Sequence, residues 1–283
     1  MEVKHNGQAL IVKDEKIDAQ VLDLYNNLKV IGCPMTGLDH IDLWECRKRG
    51  IEVISLQGET EFLKNVTSTA EHTIGLMIAL MRNYKTALNA PYKHREEYMG
   101  HTLKDKKLLL IGGEGRVGSQ VKQIAEGLGM KVYIIDTALK ENRFLLWLGK
   151  KLGFDENNLF IYTALSQADI VSIHIPLDKN EGFFTREMFE QMKNTAYFIN
   201  TSRSKIVAEG ALIQALEQGF IAGAAVDFID EGELREYASE LQNLILTNHL
   251  GGITREDREK TDKFIINKVD AYIEQINLGK ELI

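Results

Sequence analysis

Residues 108–136 read LLLIGGEGRVGSQVKQIAEGLGMKVYIID: an apolar run, a glycine-rich turn, an amphipathic stretch, and a second apolar run closed by an acid. Few arrangements accommodate that order. A strand that turns tightly into a helix and then into a second strand places the two strands parallel, with the helix packed on the sheet. The spacing Gly113-x-Gly115-x-x-Gly118 suits such a turn. Gly113 permits the bend, Gly115 lets the backbone approach a pyrophosphate, and Gly118 lets the helix lie close to the strand with its N-terminal amides toward the phosphates. Arg116 and Val117 belong to the same loop. Asp136, eighteen residues past Gly118, stands where an acid accepts hydrogen bonds from ribose hydroxyls and repels a 2′-phosphate, which favours NAD over NADP. The bland alternative is a plain strand–turn–helix with a chance acid. Lys140 and Arg143, close by in the chain, weaken the preference for NAD.

The same alternation runs through the rest of the chain. Apolar runs at 8–13, 28–33, 51–55, 107–112, 131–136, 169–175, 195–200, 222–228 and 243–247 are separated by helical patterns such as AQVLDLYNNL, STAEHTIGLMIALMRNY, EGALIQALEQG and DKFIINKVDAYIEQI. Continuous apolar strands between helices are buried on both faces, so the class is α/β with doubly wound parallel sheets. Nine strands in 283 residues divide naturally into two domains. The polar stretch 89–102 is a candidate crossover between them, and Gly251-Gly252 a candidate return. The net charge of −7 without a block of Lys or Arg argues against a nucleic-acid or membrane-surface partner. Two cysteines, Cys33 and Cys46, outside any CxxC pattern suit a reducing cytoplasm, and no metal site is expected. No run reaches the length of a membrane span.

With the glycine loop placed, further blocks fall into order behind it: SIHIPL (172–177), INTSRSKIVAEGALIQALEQGFIAGAAVDF (199–228) and TNHLGG (247–252), with MTGLDHID and NVTSTAEHT upstream. The chain resembles the D-isomer-specific 2-hydroxyacid dehydrogenase family over nearly its whole length. The resemblance implies a Rossmann NAD-binding domain over 65–252 and a smaller flavodoxin-like substrate domain over 1–64 plus 253–283. It implies reversible hydride transfer between nicotinamide and C2 of a small 2-hydroxy or 2-keto acid. Arg203 matches the arginine that holds the substrate carboxylate, through a two-pronged contact that lysine does not copy. His249 matches the acid/base, a role that imidazole suits at neutral pH. His174, Pro176, Thr201, Asp227 and Gly251 match cofactor-side positions, and Thr36, Gly37 and Asn65 substrate-side ones. A homodimer contacting around 68–81 is a family expectation; the alternative is a helix buried within one chain.

Three departures temper the match. The family's third catalytic residue is a glutamate shortly after the position of Asp227, and here Glu231 and Glu233 flank Gly232 with no proline following. Glu231 is the preferred partner of His249, Glu233 the second choice, and two solvated acids the third. The strand–helix unit with which family members usually begin is expected to be absent. Cys33 stands where phosphoglycerate-type members carry arginine, while Lys13 keeps a charge at a second such place. The competing function is a protein of the same fold that binds NAD(H) without catalysis and acts as a sensor or interaction module.

Overall fold

A computed structural model describes residues 1–89, 95–136, 156–228 and 233–281. From the N-terminus the elements are β1 (Glu2–Lys4), β2 (Ala9–Ile11), α1 (Ala19–Leu22), β3 (Val30–Cys33), α2 (Leu43–Lys48), β4 (Glu52–Ser55), α3 (Thr60–Leu63), α4 (Ser68–Met81) and α5 (Tyr84–Asn89). Then come β5 (Lys107–Ile111), α6 (Arg116–Gly127), β6 (Lys131–Ile135), α7 (Glu156–Gln167), β7 (Ile170–Ile173), α8 (Arg186–Gln191), β8 (Tyr197–Asn200), α9 (Ala211–Glu217), β9 (Gly223–Asp227), α10 (Glu233–Glu240), β10 (Leu244–Thr247) and α11 (Arg255–Glu281). The chain divides into two compact units, Met1–Val66 with Ile253–Ile283, and Thr67–Gly252. The first division therefore lies just before α4 and not in the stretch 89–102. Part of that stretch folds back on the end of α4, where His101 N donates to Met81 O at 2.7 Å.

In the smaller unit the described strands pair in the order β1-β2-β3-β4; β2, β3 and β4 run parallel and β1 is antiparallel to β2. Leu10, Ile31 and Cys33 pack on one face with Leu22 and Cys46, and Ala9, Ile11 and Val30 on the other with Ile265, Val269 and Ile273 of α11. Gly32 is needed between β2 and α11, since a Cβ there would lie 2.7 Å from both Ile11 Cδ1 and Val269 Cγ2. Strand β1 has no counterpart among the nine apolar runs. Its Glu-Val-Lys sequence buries nothing fully, and the chain reverses through His5, Asn6 and Gly7, all at positive φ, to pair it with β2.

The larger unit carries the other six described strands in the order β10-β9-β8-β7-β5-β6, all parallel. Side-chain alternation sorts its core into two layers. Leu108, Leu110, Ile170, Ile199 and Ala225 face α4 and α6, while Leu109, Ile111, Val171, Phe198 and Val226 face α7, α8 and α9. Phe184, Phe189 and Phe198 pack with ring centroids 4.7–4.9 Å apart, each fully buried side chain contributing about 1.5–3 kcal/mol. The apolar face of α4, including Ala70, Ile74 and Met77, is covered within this unit. The periodic pattern 68–84 is broken where Asn83 takes φ 53° between α4 and α5. The strand order reverses between β5 and β7, which leaves a crevice at the carboxyl ends of the strands, where α/β sheets hold ligands. Among the described residues no helix is long and apolar enough to cross a membrane.

Candidate active site

Six consecutive positions along the carboxyl edge of the larger sheet carry the expected chemistry. Gly112–Gly115 follow β5, Asp136 follows β6, His174 follows β7, Thr201 and Arg203 follow β8, Asp227 ends β9, and His249 follows β10. Parallel pairing aligns these ends: Ile111 is opposite Ile135 and Ile173, Ile173 opposite Asn200, Asn200 opposite Val226, and Asp227 opposite Thr247.

The glycine turn has the shape that its spacing requires. Gly112 takes φ 87°, a left-handed conformation that disfavours any side chain. A Cβ on Gly118 would overlap the Gly112 carbonyl oxygen and come within 2.7 Å of Gly113 Cα, so only glycine lets α6 begin this close to β5. Gly115 is the N-cap of α6 and gives it no side-chain cap, which leaves the first-turn amides to an outside acceptor. Asp136 Oδ2 accepts from Glu114 N at 3.1 Å, fixing the acid beside the turn. Cradle, uncapped helix and acid together fit a dinucleotide.

His174 Nε2 lies 2.9 Å from Ser172 Oγ, while its Nδ1 is buried without a partner. Burial pushes the imidazole down to about 3, so this histidine is neutral. Thr73 Oγ1 donates to Thr69 O at 2.7 Å, so the hydroxyl of Thr201, 2.9 Å away, donates to Thr73. Asn200, fully buried, brackets the next turn: its Oδ1 accepts from Ser202 N at 2.9 Å and its Nδ2 donates to Arg203 O at 2.9 Å. The half-buried Arg203 side chain leaves that turn, with Nη1 donating to Ser202 O at 3.0 Å.

His249 is exposed and held at φ 56°, an unusual backbone for a residue with a Cβ. The cause is Asp227, which is 1% exposed. Its Oδ1 accepts from Thr247 Oγ1 at 2.6 Å and from Leu250 N at 2.7 Å, and its Oδ2 from Gly251 N at 2.7 Å. Burial pushes this carboxyl up, but the bonds from His72, Thr247, Leu250 and Gly251 outweigh it and hold the acid well below the ordinary carboxylate range. The oxygens of Asp227 thus grip the turn that presents His249. Arg235 of α10 donates to Asn248 Oδ1 at 2.7 Å, steadying the same turn from outside.

The remaining expected residues separate as follows. Thr36 and Gly37 sit in the bend after β3, and Asn65 just before the division, all in the smaller unit. Asn65 O accepts from Lys260 Nζ of α11 at 3.4 Å. Glu231 lies outside the described residues, as does the side chain of Glu233, and so do Lys140 and Arg143. Among the described residues no group of three His, Cys, Asp or Glu side chains is placed to hold a metal ion. His72, Thr247 and Arg235 escaped the sequence reading, because each matters through a neighbour brought near only by folding.

The family model described as the D-isomer specific 2-hydroxyacid dehydrogenase NAD binding domain matches residues 74–251. The chain is similar to the D-3-phosphoglycerate dehydrogenase of Bacillus subtilis, at 35% identity over 89% of this chain and 47% of that protein. It is also similar to the glyoxylate reductase of Thermofilum pendens, at 33% identity over 91% of this chain and 76% of that protein. It thus spans about half the length of that phosphoglycerate dehydrogenase and of a similar one from Archaeoglobus fulgidus. Among solved structures, the TT0316 protein of Thermus thermophilus superposes with a TM-score of 0.69 at 30% identity, covering 89% of this chain and 78% of that one. D-lactate dehydrogenase of Aquifex aeolicus, complexed with NAD and lactic acid, shares the fold at a TM-score of 0.70 and 24% identity, over 95% and 83% of the two chains.

Proposed function

The chain belongs to the D-isomer-specific 2-hydroxyacid dehydrogenase family and carries its NAD-binding domain; on that basis we propose that it interconverts a small 2-keto acid and its D-2-hydroxy acid. The observation that carries the proposal is the gathering of glycine cradle, Arg203 and His249 along the carboxyl edge of one parallel sheet. A nicotinamide cofactor, when bound, would supply the hydride-transfer chemistry at C2 of the acid in either direction. Gly113, Gly115, Arg116, Val117 and Gly118 would hold its pyrophosphate, Asp136 its adenosine ribose, and His174, Pro176, Thr201, Asp227 and Gly251 would line the cofactor cleft.

Arg203 holds the substrate carboxylate and draws electron density from the adjacent carbonyl. His249, protonated, gives its proton to the carbonyl oxygen as the alcohol forms, and in oxidation takes that proton from the hydroxyl. Glu231 is the proposed partner of His249, Glu233 the second candidate; either carboxylate would accept the N–H of one ring nitrogen and orient the other toward the substrate oxygen. Thr36, Gly37 and Asn65 are the proposed substrate-side residues of the smaller unit. Phosphorylated and simple keto acids are the two classes proposed, since similar proteins include a phosphoglycerate dehydrogenase and a glyoxylate reductase. A homodimer completes the proposed enzyme and is tested by light scattering.

The deciding experiment follows loss of NADH absorbance with glyoxylate, pyruvate, hydroxypyruvate, 2-oxoglutarate and 3-phosphohydroxypyruvate, for the wild type and for Arg203→Lys, Glu231→Gln and Glu233→Gln. Turnover by the wild type, cut about a hundredfold or more in Arg203→Lys, supports the scheme. NADH binding without turnover on any of the five favours the sensor or interaction module instead.

A further inference from the structure

His72 has no part in the chemistry above, yet helix α4 brings it to the support of the catalytic turn. Its Nε2 lies 3.2 Å from Thr247 Oγ1 and 3.5 Å from Asp227 Oδ1. The single hydroxyl proton of Thr247 is committed to Asp227 Oδ1, at 2.6 Å. Thr247 therefore meets His72 with a lone pair, and the proton between them sits on His72 Nε2. The bonds run in one direction, from His72 to Thr247 to Asp227, and successive bonds of one polarity strengthen each other. At its far end the Asp227 carboxylate accepts the amides of Leu250 and Gly251, the two residues directly after His249. The turn is also pressed against α4, for a Cβ on Gly251 would lie 3.0 Å from Asp227 Oδ2, 3.3 Å from Thr69 Cγ2 and 3.7 Å from His72 Cδ2.

We infer that His72 is a positioning residue: by donating to Thr247, whose hydroxyl donates to Asp227, it fixes the carboxylate that holds the His249 turn in its left-handed shape. The inference rests on the reading of His249 as acid/base, so its test needs one readout that involves no substrate. Hydrogen exchange at the Leu250 and Gly251 amides of the intact protein supplies it. His72→Leu keeps the bulk and removes the donor, and exchange at both amides is expected to quicken about tenfold, the scale of one lost hydrogen bond. His72→Gln restores a donor and is expected to return most of the protection. Thr247→Val interrupts the relay at its middle without touching α4, and is expected to match His72→Leu.

With a keto acid that the wild type reduces, His72→Leu is expected to lower kcat about tenfold while KM and the NADH dissociation constant stay within about twofold. Unchanged amide exchange in both His72→Leu and Thr247→Val overturns the inference, as does a rise in KM or loss of NADH affinity with kcat intact. Faster exchange in a protein whose wild type reduces no keto acid keeps the positioning role and overturns the dehydrogenase reading instead.

Discussion

Removing the titrating group at position 174 should flatten the response of this protein to mild acid. The folded-state pKa of His174 is pushed down by burial to about 3, and an unfolded histidine titrates near 6.5. The unfolded chain therefore takes up the proton first. Stability owed to the neutral ring is complete above about pH 6.5 and declines steadily as pH falls toward the folded value. Between pH 7 and pH 5 the difference in proton uptake amounts to about 2 kcal/mol. Part of the residue surface remains accessible, which makes that figure an upper bound. For a unit of this size it corresponds to about 4–8 °C in melting temperature. His174→Gln keeps a hydrogen-bonding group near Ser172 but does not titrate. The assay is thermal melting by circular dichroism at pH 7 and pH 5, wild type beside variant, so that the other histidines cancel in the difference. The wild type is expected to lose more than the variant on acidification, by up to that amount. Equal losses would refute the assignment of His174 as a buried neutral ring.

Two other substitutions probe the frame around the site. Gly118→Ala puts a methyl group into the Gly112 carbonyl, so it is expected to abolish measurable NADH binding by fluorescence titration and to lower stability by about 1–3 kcal/mol; NADH affinity within threefold of wild type would count against the cradle. Lys85 Nζ donates to the carbonyls of Ala238, Leu241 and Leu244, closing the end of α10, and Lys85→Met is expected to cost about 2–3 kcal/mol in urea unfolding.

Much of the frame is legible in the sequence because hydrophobic burial writes itself there directly. Each of the nine apolar runs contains a strand, since strands covered on both faces have little freedom in composition. β1 escaped because an edge strand with two charged residues in three leaves no apolar signal. The pattern 19–28 gave only the helical turn α1, its Asp23 and Asn26-Asn27 favouring turns, whereas α11 extends well beyond the fifteen-residue run that announced it. In the site, the glycine turn was readable because one residue type alone satisfies its geometry. The hold on His249 was not, because His72 and Thr247 are 175 positions apart and nothing local marks their contact. The acid expected beside His249 stays open between Glu231, Glu233 and neither, because spacing alone does not choose the register.

The smaller unit is made in two instalments. Ala9, Ile11 and Val30 need Ile265, Val269 and Ile273 to cover them, but Thr67–Gly252 are synthesised between. At ordinary elongation rates of about 5–20 residues per second, that apolar face waits bare for roughly ten to forty seconds while the larger unit is completed. The larger unit holds its sheet residues within one continuous stretch and can collapse as it leaves the ribosome. Folding order is thus built into connectivity, and destabilising substitutions in the first sixty residues should show themselves in the cell as chaperone dependence and aggregation before they show as lost activity.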